Sequence, residues 1–313
     1  MKKYEFDTII LGGGPAGLSA GIYLARSNAK TAIIETSMIG GQPSNYLEIE
    51  NYPGFSSIGG YELMEKFEEH LDKFGVEKFE MQEIKSVDLT SNPKVIETLD
   101  CIFEAKTIIV ACGAHCKKLG IKGEKEFLGK GVSYCAICDG AFYQDKTVAV
   151  VGGGNSALEE AVYLTKFAKK VYVIHRRDSF RADKIVQERA FDNEKIEFVL
   201  NASPVEISGA DTVENIRVRD VKSNDIRDIK VDGVFAYIGY SPNIECLACQ
   251  LVQDENGFIV TDETMQTSIQ GVFAAGDVRR TPLRQVVTAA SDGAVSAVYA
   301  GKYLESLQKL VGV

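Results

Sequence analysis

Phe6-Asp7-Thr8-Ile9-Ile10-Leu11-Gly12-Gly13-Gly14-Pro15-Ala16-Gly17 decides how the chain is read. A short apolar run feeds a glycine cluster of the form G-x-G-x-x-G, and a helix-compatible segment follows. Glycine is needed there because the chain must turn tightly, a pyrophosphate must approach the backbone, and the new helix must pack closely on its strand. The phosphate then lies at a helix N-terminus, where unpaired N–H groups favour an anion. Gly12, Gly14, Pro15, Ala16 and Gly17 are therefore predicted to hold a dinucleotide. Thr31-Ala32-Ile33-Ile34-Glu35 supplies the next strand and, at its end, an acid suited to accept a hydrogen bond from a ribose hydroxyl.

The pattern recurs. Thr147-Val148-Ala149-Val150-Val151 runs into Gly152-Gly153-Gly154-Asn155-Ser156-Ala157, and Val171-Tyr172-Val173-Ile174 follows as a second strand. Gly152, Gly154, Asn155, Ser156 and Ala157 form a second predicted pyrophosphate loop. No acid ends this second strand; the chain reads His175-Arg176-Arg177-Asp178-Ser179-Phe180-Arg181. A carboxylate would repel a 2′-phosphate, whereas guanidinium groups bind one bidentately. His175, Arg176, Arg177 and Arg181 thus point to NADPH rather than NADH.

Between the two fingerprints lies Cys135-Ala136-Ile137-Cys138-Asp139. Two thiols at this spacing can cycle to a disulfide, and Asp139 is the nearest side chain able to deliver a proton to a departing thiolate. A second C-x-x-C, Cys246-Leu247-Ala248-Cys249, reads as structural. More than a hundred residues separate the pairs, far beyond zinc-ribbon spacing, and the three histidines share no ligand-like spacing, so no metal is expected.

The 313 residues are 45% hydrophobic and 25% charged, enough for two ordinary globular cores. A net charge of −9 disfavours nucleic acid and anionic membrane as partners. Apolar runs are strand-sized, and no apolar signal region follows Lys2 and Lys3, so a cytoplasmic location is expected. Met64, Phe67, Leu71 and Phe74 fall at helical spacing, and Ile216–Arg219 with Ile226–Val231 flank a turn as a hairpin.

Several blocks together resemble the low-molecular-weight thioredoxin reductases. Cys135-Ala136-Ile137-Cys138-Asp139-Gly140 looks like their redox signature, and Gly40-Gly41-Gln42 with Glu50-Asn51-Tyr52-Pro53-Gly54 like a flavin-side motif. His175-Arg176-Arg177-Asp178 with Phe180-Arg181-Ala182 resembles their NADPH loop. Gly271-Val272-Phe273-Ala274-Ala275-Gly276-Asp277 and Arg284-Gln285 resemble their C-terminal FAD motif. The resemblance implies an α/β fold of two Rossmann-like three-layer nucleotide-binding domains, the NADPH domain inserted into the FAD domain. It implies residues 1–116 and 245–313 for FAD, and 117–244 for NADPH and the cysteine pair. Carried over by position, Asp277 resembles the ribityl-binding residue, and Gly41, Gln42, Asn51, Gly276, Arg284 and Gln285 fall in the flavin-side blocks. A homodimer and thioredoxin, or a thioredoxin-like protein, as oxidant are implied as well. Which thiol attacks the partner stays open.

One departure is Ala111-Cys112-Gly113, where the family usually has Ala-Thr-Gly; Cys112 reads as a small buried residue filling the threonine's place. Three rival functions are disfavoured by composition. An NADH-linked redoxin reductase or a ferredoxin-fed enzyme would not need the arginine loop. A non-catalytic redox sensor would not need the cysteine pair, the adjacent acid and a complete pyridine-nucleotide site together.

Overall fold

The strands of the first fingerprint are apolar on both faces because helices cover one face and chain from elsewhere in the same unit covers the other. In the computed structural model, residues 1–46, 49–247 and 250–311 are described, with backbone alone at 137, 138, 310 and 311. The chain divides into two compact units, residues 1–115 with 241–313, and residues 116–240. Residues 241–244, expected in the middle unit, belong to the first, and Cys116, expected in the first, belongs to the middle unit.

The first unit opens with β1 (Lys2–Leu11), α1 (Pro15–Arg26), β2 (Thr31–Ile34), α2 (Gly60–Asp72) and β3 (Glu77–Phe79). It continues through β4 (Ile84–Asp88), β5 (Lys94–Thr98) and β6 (Cys101–Val110) to β7 (Ala114–Cys116) at the boundary. The middle unit contains β8 (Val132–Ser133), α3 (Ala136–Asp139), β9 (Thr147–Gly152), α4 (Asn155–Leu164), β10 (Lys170–Ile174), α5 (Lys184–Phe191) and β11 (Ile196–Val199). It ends with β12 (Ala202–Gly209), β13 (Val213–Asp220), β14 (Ile226–Lys230) and β15 (Gly233–Tyr237). The return passes through β16 (Tyr240–Pro242) to β17 (Val272–Ala274) and α6 (Val286–Val311).

In the first unit the sheet order is β3-β2-β1-β6-β5-β4, with β17 on β6. Strands β3, β2, β1, β6 and β17 pair in parallel, and β4 and β5 extend the sheet antiparallel. Alternation along β1 sends Ile10 to one face, where Leu18, Ile22, Leu71 and Ala297 of α1, α2 and α6 cover it. It sends Ile9 and Leu11 to the other, against Val87, Ile96, Leu247 and Ile259. The helical stripe at Met64 and Leu71 is buried as expected, but Phe74 lies past the end of α2 and is 39% exposed. Gly75, at φ +67, closes that end in the left-handed conformation that terminates helices, so the apolar spacing outruns the helix.

The middle unit has three layers. A parallel sheet of order β11-β10-β9-β15-β8 carries α4 and α5 on one face. The antiparallel sheet β12-β13-β14 covers the other face through Ile207, Ile216 and Val218. The expected hairpin is β13–β14, paired from Asn215/Lys230 to Arg219/Ile226. Among the described residues no helix is long and apolar enough to cross a membrane.

Candidate active site

Each glycine of the first fingerprint has its own reason. Gly12 sits at φ +107, and a Cβ there would lie 2.3 Å from the Ala111 carbonyl oxygen. Gly17 faces the Gly12 carbonyl, which a Cβ would meet at 1.9 Å, so α1 can pack on its own strand only with glycine there. Gly14 is different: it caps α1, Pro15 follows, and the nearest atom to its missing Cβ is Gly41 Cα at 4.0 Å. That space, in front of unpaired helix N–H groups, suits a pyrophosphate. Gly41, at φ +65, packs against Gly14, and Gln42 donates its Nε2–H to the Ala114 carbonyl.

Glu35 stands just past β2. Its Oε2 accepts the Gly13 N–H at 2.7 Å, and its Oε1 accepts the Ser37 N–H at 2.9 Å. The carboxylate therefore braces the glycine turn, and Oε2 keeps a second lone pair for a ribose hydroxyl. On the other side Gly276, at φ +78, approaches Ala16, whose Cβ lies 3.0 Å from where a Gly276 Cβ would stand. Gly276 is held by its N–H to Asp292 Oδ2 at 3.1 Å, and Asp292 also pairs with Arg279 at 2.7 Å in a largely buried ion pair. Removing one partner of such a pair strands a buried charge and costs about 3–5 kcal/mol. Burial pushes Asp277 up to about 6; Arg284 opposes the rise and Asp292 adds to it. Arg284 stacks over Phe258 at 4.0 Å, and its buried Nε finds no hydrogen-bond partner among the described residues. Asn51 donates to Gln285 at 2.8 Å, joining two more of the predicted residues. An open helix N-terminus, a buried acid and an orphaned guanidinium N–H are what a phosphate-linked flavin requires.

In the middle unit a Cβ on Gly152 would meet the Ala157 Cβ at 2.7 Å, so these two form the close strand–helix contact. Gly154 caps α4 with nothing within 4 Å of its missing Cβ, again leaving room for phosphate. Ser156 follows in the first turn of α4, and Asn155 exchanges two 2.7 Å hydrogen bonds with Asp183. His175 departs from expectation. Its ring is buried, lies against Gly153, stacks on Phe180 at 5.3 Å, and has Nε2 3.1 Å from the Ser179 carbonyl. It shapes the loop from inside, and burial lowers its pKa, with Arg181, Arg177 and Arg176 adding to that fall. Those three arginines are exposed and form no salt bridge among the described residues. The Arg181 N–H reaches the Gly153 carbonyl at 2.8 Å, tying the basic loop to the glycine turn.

Cys135 is disulfide-bonded. It precedes α3, whose first bond is Asp139 N–H to the Cys135 carbonyl at 3.2 Å, and its own N–H donates to Ser133 Oγ at 3.0 Å. Cys138 lies on the same single turn of helix, but its side chain is outside the described residues. Asp139 is half-buried, and its charge helps burial push Tyr143 up to about 12. No group of three potential metal ligands occurs among the described residues.

Two acids escaped the reading from sequence. Glu124 is buried; its two oxygens accept the Leu119 and Gly120 N–H groups at 2.6 and 2.7 Å and the Tyr134 hydroxyl at 2.7 Å. It fixes the segment entering the middle unit, and no local pattern announces it. Glu160 lies on α4 at helical spacing from the buried Ala157 and Leu164, which is the signal that could have found it. Burial, with Glu159 adding, pushes it from 4.5 up to about 7, and Oε2 has no partner among the described residues. A folded-state pKa above the unfolded one contributes stability that is full below about 4.5 and lost as pH rises through about 7. Glu160→Gln is therefore expected to stabilise the protein by about 2–3 kcal/mol at pH 8, with the gain shrinking towards pH 5. Denaturant unfolding at the two pH values checks this; equal effects at both would refute the buried charge.

Residues 6–293 match the family model described as pyridine nucleotide-disulphide oxidoreductase. Thioredoxin reductase from Bacillus subtilis is 46% identical, over 97% of this chain and 96% of its own. The crystal structure of Lactococcus lactis thioredoxin reductase is 43% identical with a TM-score of 0.91, covering 96% of this chain and 99% of the other. A ferredoxin-flavin thioredoxin reductase from Clostridium acetobutylicum is 33% identical with a TM-score of 0.54, covering 97% and 99%. Two glycine fingerprints, a basic second loop and near-complete alignment agree: the chain belongs to the pyridine nucleotide-disulphide oxidoreductases, in the low-molecular-weight thioredoxin reductase group.

Proposed function

We infer that the protein carries electrons from NADPH through FAD to the disulfide of thioredoxin or a thioredoxin-like protein, with Cys135 and Cys138 as the exchanging pair. The observation that carries this reading is that a disulfide-bonded Cys135 shares one unit with a glycine loop whose neighbouring arginines are exposed and form no salt bridge among the described residues. FAD, when bound, accepts hydride from NADPH and passes two electrons to a disulfide. The chain's own residues do the rest. Gly14 and the α1 N-terminus would hold the FAD pyrophosphate, with Glu35 on the ribose and Asp277, Arg284 and Gln285 on the flavin side. Gly154 and the α4 N-terminus would hold that of NADPH, with Arg176, Arg177 and Arg181 on the 2′-phosphate. Asp139 would deliver a proton to the thiolate released when the protein disulfide is reduced. Phe142, 73% exposed and on the turn after α3, offers an apolar contact to a protein partner.

The arginine loop favours NADPH over ferredoxin as donor, since a protein donor makes no use of a 2′-phosphate site. Anaerobic titration of the flavoprotein tests the reading. NADPH is expected to bleach the flavin and open the disulfide, NADH to do so only at much higher concentration, and reduced ferredoxin not at all. Bleaching by ferredoxin alone would overturn it. A homodimer acting in the cytoplasm completes the proposal; light scattering that gives a single-chain mass would refute the dimer.

A further inference from the structure

We propose that Tyr237 and Tyr134 are positioning residues for the redox pair, their hydroxyl groups holding the backbone on either side of Cys135 in the geometry at which the disulfide closes. The proposal rests on the reading of Cys135 and Cys138 as the exchanging pair. The loop concerned is short: β8 ends at Ser133, α3 begins at Ala136, and Cys135 lies between them. Ser133 pairs with Phe235 across β8 and β15, and its Oγ accepts the Cys135 N–H at 3.0 Å. The Tyr134 hydroxyl donates to Glu124 Oε1 at 2.7 Å. Buried Glu124 also accepts the Leu119 and Gly120 N–H groups, so Tyr134 is anchored to a segment distant from it in sequence. The Ala136 N–H, between the two cysteines, donates to the Tyr237 hydroxyl at 2.7 Å. Tyr237 ends β15, where its backbone pairs with Gly152 of the second glycine turn. All of these residues belong to the middle unit. In the second C-x-x-C, Cys249 lies outside the described residues and Cys246 packs against an apolar core.

A disulfide closes only when its sulfurs stand about 2.0 Å apart, so the backbone beneath them must keep its shape while the bond opens and re-forms. In the oxidised protein the disulfide itself restrains the loop. In the dithiol that restraint is gone, and the hydroxyl ties take over. Ala136 is fully buried, so its N–H depends on an acceptor within the protein. Burial, then the bond to Glu124, raises the Tyr134 pKa, so this hydroxyl keeps the proton it donates. Removing either hydroxyl costs both redox states a hydrogen bond. Only the dithiol gains freedom in return, because the oxidised loop is still closed by its sulfur–sulfur bond. The ties therefore favour the disulfide at equilibrium and keep the two thiols at high effective concentration for one another. Each tyrosine acts through the backbone of the pair.

The test uses the full-length flavoprotein and its variants Tyr237→Phe and Tyr134→Phe, which keep the ring and lose only the hydroxyl. Each is equilibrated without oxygen in buffers of reduced and oxidised glutathione and trapped with an alkylating reagent, and the state of the peptide carrying Cys135 and Cys138 is read by mass spectrometry. In this equilibrium two glutathione thiols become one glutathione disulfide, and the protein disulfide takes up two electrons and two protons to become two thiols. The constant for that reduction is expected to rise about fivefold in each variant, the effect of freeing about one residue of backbone in the dithiol alone. Hydroxyl groups that only stabilise the fold would lower the thermal midpoint and leave the constant at the parent value; that result, or a constant that falls, overturns the inference. Circular dichroism confirms folding, and if one variant fails to fold the other carries the same expectation. NADPH is added to the parent first. A parent pair that NADPH never opens removes the redox reading and this inference with it, whereas a pair that opens, with unchanged constants in the variants, removes only the role of the tyrosines.

Discussion

Cys135→Ser is expected to lower thioredoxin reduction by about 10³-fold or more, the scale seen when a nucleophile that acts as part of a unit is removed. Exchange requires a thiolate, and a serine hydroxyl supplies none at neutral pH. The variant should still fold and hold FAD. The local bonds at this position are backbone ones, Cys135 N–H to Ser133 Oγ and Asp139 N–H to the Cys135 carbonyl, and serine retains both. Cys135 also lies in residues 116–240, whereas the first fingerprint and the Gly276–Asp277 turn lie in the other unit. Stopped-flow reduction of the flavin by NADPH, measured with thioredoxin turnover, separates the outcomes. Flavin reduction at the parent rate with turnover lost supports the exchange role. Parent-like turnover would remove Cys135, and with it the proposed pair, from the mechanism.

Arg176→Ala with Arg181→Ala is expected to weaken NADPH binding by about 10²-fold or more while changing NADH binding only a few-fold. Each charge-assisted hydrogen bond to a phosphate is worth about 1.5–3 kcal/mol, and tenfold in affinity is about 1.4 kcal/mol. Both side chains are exposed, so their removal leaves no cavity. The Arg181 backbone bond to Gly153 survives the substitution, so the glycine turn keeps its tie to the loop. Binding is measured by equilibrium titration with each nucleotide, because turnover would mix affinity with rate. Equal losses for the two nucleotides would mean that the arginines steer anions generally and do not read the 2′-phosphate. His175 makes a contrasting control: it is packed against Gly153 and Phe180, so its loss should disturb the loop for both nucleotides alike.

The parts legible in the sequence were those whose physics is local. A glycine that must turn at positive φ, cap a helix or let a helix touch its strand can be read from spacing alone, and Gly12, Gly14 and Gly17 each occupy the expected role. The strands were legible because apolar runs buried on both faces look the same wherever the chain is folded. The basic loop after β10 was legible as charge, but not its interior. His175 sits in the same run as three exposed arginines, and only packing decides that the imidazole turns inward.

What the sequence by itself determined is the pair of glycine fingerprints, the basic run of Arg176, Arg177 and Arg181 after the second strand, and the spacing of Cys135 and Cys138, because each depends on neighbours a few residues apart. Tertiary structure alone decided that Asn243 binds the Cys112 carbonyl, that Asp292 holds both Arg279 and the Gly276 turn, and that desolvation pushes Glu160 up to about 7. Those contacts join segments that meet only after sheet and helices have packed. Their energies come from desolvation and from hydrogen bonds made in that packed environment, and no local run of residues records them.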